Sequence, residues 1–253
     1  MVVACSTLCF ARLPFEEALR AIREMHFAKA DLAIHEEGPH LRPSLVAVDV
    51  GRVAQKMKAT NVPVAAISLR FAAFDGPETR MQLQAACRLA RVLAVPLLSV
   101  AAAPTGSEFE ADVVRLGDWS AIAAAEGLIL TVETSAGTLT ADPLGAAELC
   151  KQVPGLGLTL DPSHYHCGPH AGVNYDLLFP FVRHVRLRDS GRALEQFQVR
   201  VGQGEIEYGR IITQLQRVRY DRAFSVDIQD IADSPFPIEP EVRKLKYLLE
   251  SLL

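Results

Sequence analysis

Polar residues close a series of apolar runs in the third quarter of the chain. Leu128–Val132 leads into Glu133, and Leu156–Leu160 leads into Asp161, with His164 three residues on. Val182–Leu187 contains His184 and Arg186 and leads into Arg188 and Asp189, and Ala223–Val226 leads into Asp227. Carboxylates and imidazoles are side chains that move protons and, as ligands, hold divalent ions. They act together only if the runs are parallel strands whose C-terminal ends face one space, where barrel enzymes keep their chemistry. Arg186 is out of place in a metal site, because a guanidinium has no lone pair to give and stays protonated.

The elements that must position these residues alternate along the whole chain. Strands are expected at Val2–Cys5, Ala30–Ile34, Val64–Leu69, Pro96–Ala101, Leu128–Val132, Leu156–Leu160, Val182–Leu187 and Ala223–Ile228. Amphipathic segments fall between them, at Pro14–Met25, Val50–Ala59, Pro77–Leu93, Phe109–Glu126, Asp142–Gln152 and Arg210–Val218, with a short helix near Tyr175–Phe179. A last helix covers Glu239–Leu253. His35–Asp49 and Asp189–Tyr208 read as long loops rich in Gly and Pro or in Gly. Continuous apolar strands suit a parallel sheet covered on both faces. Eight strand–helix units in 253 residues match a single-domain (β/α)8 TIM barrel over residues 1–253. An open doubly wound sheet fits less well, because the turn after the first strand, Ser6–Phe10, has no glycine for a phosphate loop.

Composition narrows the function classes. A net charge of −4 and a pI near 6.0 argue against a nucleic-acid binder. No run approaches the length of a membrane span, and the N-terminus reads as a first strand rather than a leader. Five cysteines with no CxxC pair point to reduced thiols and a cytoplasmic protein. Cys5 and Cys9 lack zinc-knuckle spacing, and the cluster His166, Cys167 and His170 is a weak zinc candidate. His35, Glu36 and Glu37 follow the second strand onto the same face as Glu133, with His35 a rim contact. Phe71 and Phe74, after the third strand, are placed to wall a pocket, whereas Trp119 belongs to a packed helical pattern.

Four segments in order resemble the xylose-isomerase-like superfamily of sugar isomerases, epimerases and inosose dehydratases. They are Thr131–Thr140, Leu160–His164, His184–Asp189 and Val201–Tyr208, similar to the family's E-N-H-x-G-T, D-x-x-H, V-H-L-K-D and G-x-G-E-I-D segments. The resemblance implies a divalent ion (Mn, Mg, Zn or Co) held by ligands on strands five to eight. These positions are Glu133, Asp161, Arg186 and Asp227 here. It implies Glu133 and Asp227 as catalytic carboxylates that take a proton next to a carbonyl, with His164 and Arg192 as substrate anchors. The substrate would be a small carbohydrate, polyol, sugar phosphate or keto acid, and a homodimer is expected by analogy.

Two departures divide the functional reading. Arg186 cannot replace a histidine ligand, and His184 lies roughly 6–7 Å back along the strand. Asp227 is one methylene shorter than the family's Glu. Either an ion still sits on Glu133, Asp161 and Asp227, or Arg186 takes the ion's electrostatic place, pairing with Glu133 or Asp161. The first alternative is a metal-assisted isomerase or epimerase of carbohydrate metabolism. The second is a metal-free binding protein or degenerate homologue, with Arg186 in the substrate site. An apurinic-site endonuclease is a remote third, because strands three, four and seven lack the histidines of a trinuclear zinc cluster.

Overall fold

The computed structural model describes residues 1–167 and 171–253. Eight strands pair in parallel and in chain order, β1 next to β8, to close a barrel. They are β1 (Val2–Ser6), β2 (Lys29–His35), β3 (Val64–Arg70), β4 (Leu97–Ala101), β5 (Ile129–Glu133), β6 (Gly157–Leu160), β7 (Val182–Leu187) and β8 (Ala223–Val226). The major outer helices are α1 (Phe15–Glu24), α3 (Val50–Thr60), α4 (Pro77–Val92), α5 (Phe109–Ala125), α6 (Pro143–Gln152), α8 (Tyr208–Arg217) and α9 (Ile238–Leu252). The TIM-barrel expectation is met, with strand ends shifted by one or two residues.

Two short helices lie where loops were expected. Pro43–Val48 forms α2, and Ser163–Cys167 forms α7. Pro43 read as a loop residue, but proline also suits a helix's first turn, where its missing N–H has no partner to lose. The segment expected as a loop over Asp189–Tyr208 is one as far as Glu207, interrupted by a short 3-10 turn, Leu194–Gln196, and Tyr208 opens α8.

The two faces of the strands have opposite chemistry. Leu32, Ile34, Ile67, Leu69, Val100, Leu130, Val132, Leu158, Val185 and Phe224 are buried in one apolar core cluster, which fills the layer between sheet and helices. Burying apolar side chains there is the main driving force for closure. Ser68, Ser99, Thr131, Thr159, His184, Arg186 and Ser225 are buried polar residues at alternate positions of their strands. That alternation turns them to the opposite face, the barrel axis. Polar groups on the axis find partners among themselves, in pairs such as Thr131 with Thr159 at 2.8 Å and His184 Nε2 with Ser225 Oγ at 2.9 Å, although Ser99 Oγ and His184 Nδ1 have none among the described residues. All five cysteines are free and buried.

Candidate functional site

The C-terminal mouth of the barrel gathers carboxylates and guanidiniums into two linked groups. β7 supplies both central cations: Arg186 points into the barrel and Arg188 follows the strand's last residue. Arg186 donates Nε and Nη2 to the two oxygens of Asp31 on β2, each at 3.0 Å. Its Nη1 donates to Glu133 Oε1 at 3.0 Å and to Ser68 Oγ at 3.2 Å. Arg70, at the end of β3, holds Glu133 Oε2. Arg188 Nη2 donates to Asp161 Oδ2 at 2.8 Å and to Asp227 Oδ2 at 2.7 Å.

This pairing sets the charge states. Burial alone would raise the Glu133 pKa, but Arg70 and Arg186 outweigh it and hold the carboxyl well below the ordinary range. Asp227 is likewise raised by burial and lowered more by Arg188 and Arg186. His35 and His184 are pushed down to about 4, first by burial and then by nearby guanidiniums, so both are neutral at pH 7. Four carboxylates (Asp31, Glu133, Asp161, Asp227) therefore face three guanidiniums (Arg70, Arg186, Arg188), and the cluster is nearly neutral.

The donor set does not fit a divalent ion. Glu133 has both oxygens on guanidiniums, and Asp161 has one on Arg188 and the other on the Ser163 N–H at 3.0 Å. Asp227 Oδ1 alone among these three carboxylates keeps an oxygen without a hydrogen-bond partner among the described residues. No group of three His, Cys, Asp or Glu side chains among those residues converges as metal ligands do. The Arg186 fork sits on Asp31, not bidentately on Glu133 or Asp161 as expected from sequence; the Asp161 contact belongs to Arg188. Asp31, inside β2, takes the Arg186 fork, whereas Asp161, just past the end of β6, meets Arg188, just past the end of β7.

The other candidates divide between rim and surface. His164, on α7, accepts the Ala136 N–H at Nδ1 (3.1 Å), which leaves the proton of its neutral ring on Nε2, 3.7 Å from Asp161. His35 is half-buried and shares a hydrogen bond with Ser68 Oγ at 3.1 Å. Arg192 is 80% exposed and pairs with Glu205 at 2.7 Å, away from the carboxylate cluster. His184 lies below Arg186, its Nε2 3.5 Å from Asp31. His166 is half-buried, the Cys167 thiol donates to the Gly191 carbonyl, and His170 lies outside the described residues.

Sequence reading gave no site role to Asp31, Ser68 and Arg70, and named Arg188 only as a polar residue after the seventh run. Asp31 had one available signal, a lone acid inside the apolar run Ala30–Ile34. The glycine motif at 201–205 has a structural use instead. Asp189 accepts the N–H groups of Ser190, Gly202 and Gly204, and a Cβ at Gly204 would collide with that carboxylate and with the Ser190 backbone. The loop so anchored carries Phe197, whose ring lies 4.8 Å from the Arg188 guanidinium and 4.8 Å from the His164 ring.

Comparison with known proteins supports the architecture. The chain superposes on 3-keto-D-glucoside 4-epimerase from E. coli (15% identity, TM-score 0.73, 99% of each chain). It also superposes on D-allulose 3-epimerase from Methylomonas sp. (13% identity, TM-score 0.76, 100% of this chain and 98% of that one). A xylose isomerase-like TIM barrel protein from Mycobacterium smegmatis in complex with magnesium gives 16% identity and a TM-score of 0.76, again over 100% and 98%. No curated protein sequence matches the chain. The sequence model of one family matches residues 19–248, and the closed eight-stranded barrel agrees with it: the chain belongs to the xylose isomerase-like TIM barrels.

Proposed function

We propose that this protein binds a small, carbohydrate-like molecule at the C-terminal mouth of its barrel without a divalent ion. One observation carries the reading: Arg186 stands where the family resemblance puts a histidine ligand, and its guanidinium sits on Asp31 and Glu133. The positive charge that an ion would bring is thus part of the chain. Glu133 is poorly placed as a general base, because both oxygens are occupied and its pKa is held far below the working pH. The ligand would meet Arg70, His35 and His164, the polar groups at the rim. Membership of a sugar isomerase and epimerase family supports the ligand class.

A second reading, proton transfer on the bound molecule, draws support from His164 alone. With its Nδ1 accepting from a backbone amide, its Nε2–H can donate a hydrogen bond to a ligand carbonyl, and water would take the proton from the neighbouring carbon. Deuterium incorporation into a ketose incubated with protein and chelator in D₂O tests that reading.

The primary test is calorimetric titration with ketoses and polyols, in EDTA and then with Mn²⁺, Mg²⁺, Zn²⁺ or Co²⁺. Binding in EDTA that metals leave unchanged is expected. Binding that appears only with a metal overturns the proposal. A double variant, Arg186→His with Asp227→Glu, restores the resemblance's ligand set and should gain a metal-dependent rise in Tm that the parent lacks.

A further inference from the structure

The loops after β3 and β4 leave a cavity of about 80 Å³ whose wall includes Arg70, Phe71, Ala73, Phe74, Arg115 and Trp119. Arg70 is also the residue that holds Glu133 Oε2, so the cavity opens beside the carboxylate cluster. Arg115 comes from α5 and is almost fully buried, with 4% of its side chain exposed. Its guanidinium lies between two aromatic rings, with Phe74 centred 3.9 Å and Trp119 4.3 Å from its carbon.

The hydrogen bonding of Arg115 is incomplete. Nε donates to Asp112 Oδ1 at 2.7 Å, and Nη2 donates to the Ala101 carbonyl at 3.0 Å. Nη1, with two N–H donors, has no partner among the described residues. Asp112 is turned to the other nitrogens: its Oδ1 takes Nε and lies 2.6 Å from Nη2, and its other oxygen accepts the Ala103 N–H at 2.8 Å. Asp75 is the other acid close enough to act on Arg115, and its carboxylate accepts the Gly76 N–H. A buried, charged donor left unpaired is costly. A guanidinium that served only to fasten β4 to α5 would be expected to satisfy it. The cavity wall instead carries two guanidiniums and no carboxylate. Aromatic faces on both sides keep Arg115 rigid and partly screened from water, which strengthens its attraction for an anion.

We propose that this cavity is an anion subsite: it seats a carboxylate or phosphate group of the ligand against the guanidiniums of Arg115 and Arg70, while the ligand's polyol portion lies at the barrel mouth. The proposal rests on the binding function inferred above and narrows its ligand to an acidic or phosphorylated carbohydrate. Arg gives a planar fork suited to either oxyanion, and a phosphate, with more oxygens and more charge, would use both arginines.

The test compares three six-carbon probes with one skeleton, sorbitol, gluconate and sorbitol 6-phosphate, by calorimetry in EDTA. One of the two anions should bind at least tenfold tighter than sorbitol, and which one does so identifies the group. Ala73→Leu fills the cavity from its exposed rim without touching the Asp112–Arg115 pair. It should remove that preference while leaving sorbitol affinity within twofold. Arg115→Lys keeps the charge but loses the fork, and should weaken the anion by about tenfold with circular dichroism unchanged. Equal affinity for all three probes, or a preference that survives Ala73→Leu, overturns the subsite and leaves binding at the mouth standing. Failure of every probe to bind overturns both.

Discussion

The two halves of the barrel mouth use the same side chains to opposite ends. On the β6–β8 side, Asp161, Arg188 and Asp227 are all buried, and Phe197 roofs the guanidinium. On the β3–β5 side, Arg70 keeps 36% of its side chain exposed, and a cavity opens between it and Arg115. In the closed half even the atoms left without a partner among the described residues, Arg188 Nε and Asp227 Oδ1, are shut off from solvent. In the open half Arg70 still reaches it. An ion pair is therefore not a site by composition. What decides is whether desolvation is already complete, in which case the pair holds the fold, or whether one partner still faces solvent and can take a ligand.

Breaking the closed half should have the largest effect. Replacing Arg188 with Leu leaves Asp161 and Asp227 buried without their shared cation, and a buried charge stripped of its partner costs about 3–5 kcal/mol. Arg186→Leu strips Asp31 and half of Glu133 and belongs in the same range. Urea unfolding monitored by tryptophan fluorescence should show a lower midpoint for both. A loss below about 1 kcal/mol for either would mean that water reaches the cluster and that its two halves are alike.

pH sharpens the same contrast. The imidazole of His184 is buried on the barrel axis and held at about 4, below its unfolded value near 6.5. The unfolded chain therefore takes up a proton that the native state refuses. The stability from the neutral ring is complete above pH 6.5 and is lost as pH falls from 6.5 toward 4. Over that window it amounts to on the order of 3 kcal/mol. His35 shifts the same way. Glu133 adds its own loss lower down, since a depressed carboxylate stabilises the fold above its unfolded pKa and stops doing so as the pH falls toward its folded one. In His184→Gln, the fall in Tm between pH 6.5 and 4 should be visibly shallower than in the parent. An identical slope would place that titration elsewhere.

Periodicity made the barrel legible. Strands apolar on their helix-facing side stand out from amphipathic helices even without the final register. The acids at strand ends were legible for a related reason: Glu133, Asp161 and Asp227 each terminate an apolar run, and polarity at a run's end marks the mouth. Of their partners, only Arg186 beside Glu133 was legible. Asp31 and Arg186 lie 155 residues apart and meet only because β2 and β7 face each other across the axis. Arg188 reads in sequence as one more polar residue at a run's end, with nothing to show which acids it meets. Arg115 sits in a helix whose pattern gives no hint that one nitrogen lacks a partner. Phe71 and Phe74 were read as pocket walls, and both line the cavity beside Arg70; Trp119, read as packing, lines it too.

The smallest effects test where the open half ends. Arg70 is partly solvated, and Glu133 keeps Arg186 when it is removed, so Arg70→Ala should cost no more than about 1 kcal/mol of stability. Ligand affinity should nonetheless fall, because Arg70 joins the carboxylate cluster to the cavity. Arg192→Ala should change neither. Its pair with Glu205 is surface-exposed on both sides, and such pairs contribute little. The family resemblance makes Arg192 a substrate anchor, whereas its geometry turns it to solvent. If Arg192→Ala weakens ligand binding as much as Arg70→Ala does, the Asp189–Tyr208 loop must carry Arg192 over the mouth when ligand is present. The β6–β8 half would then be closed only until a ligand arrives.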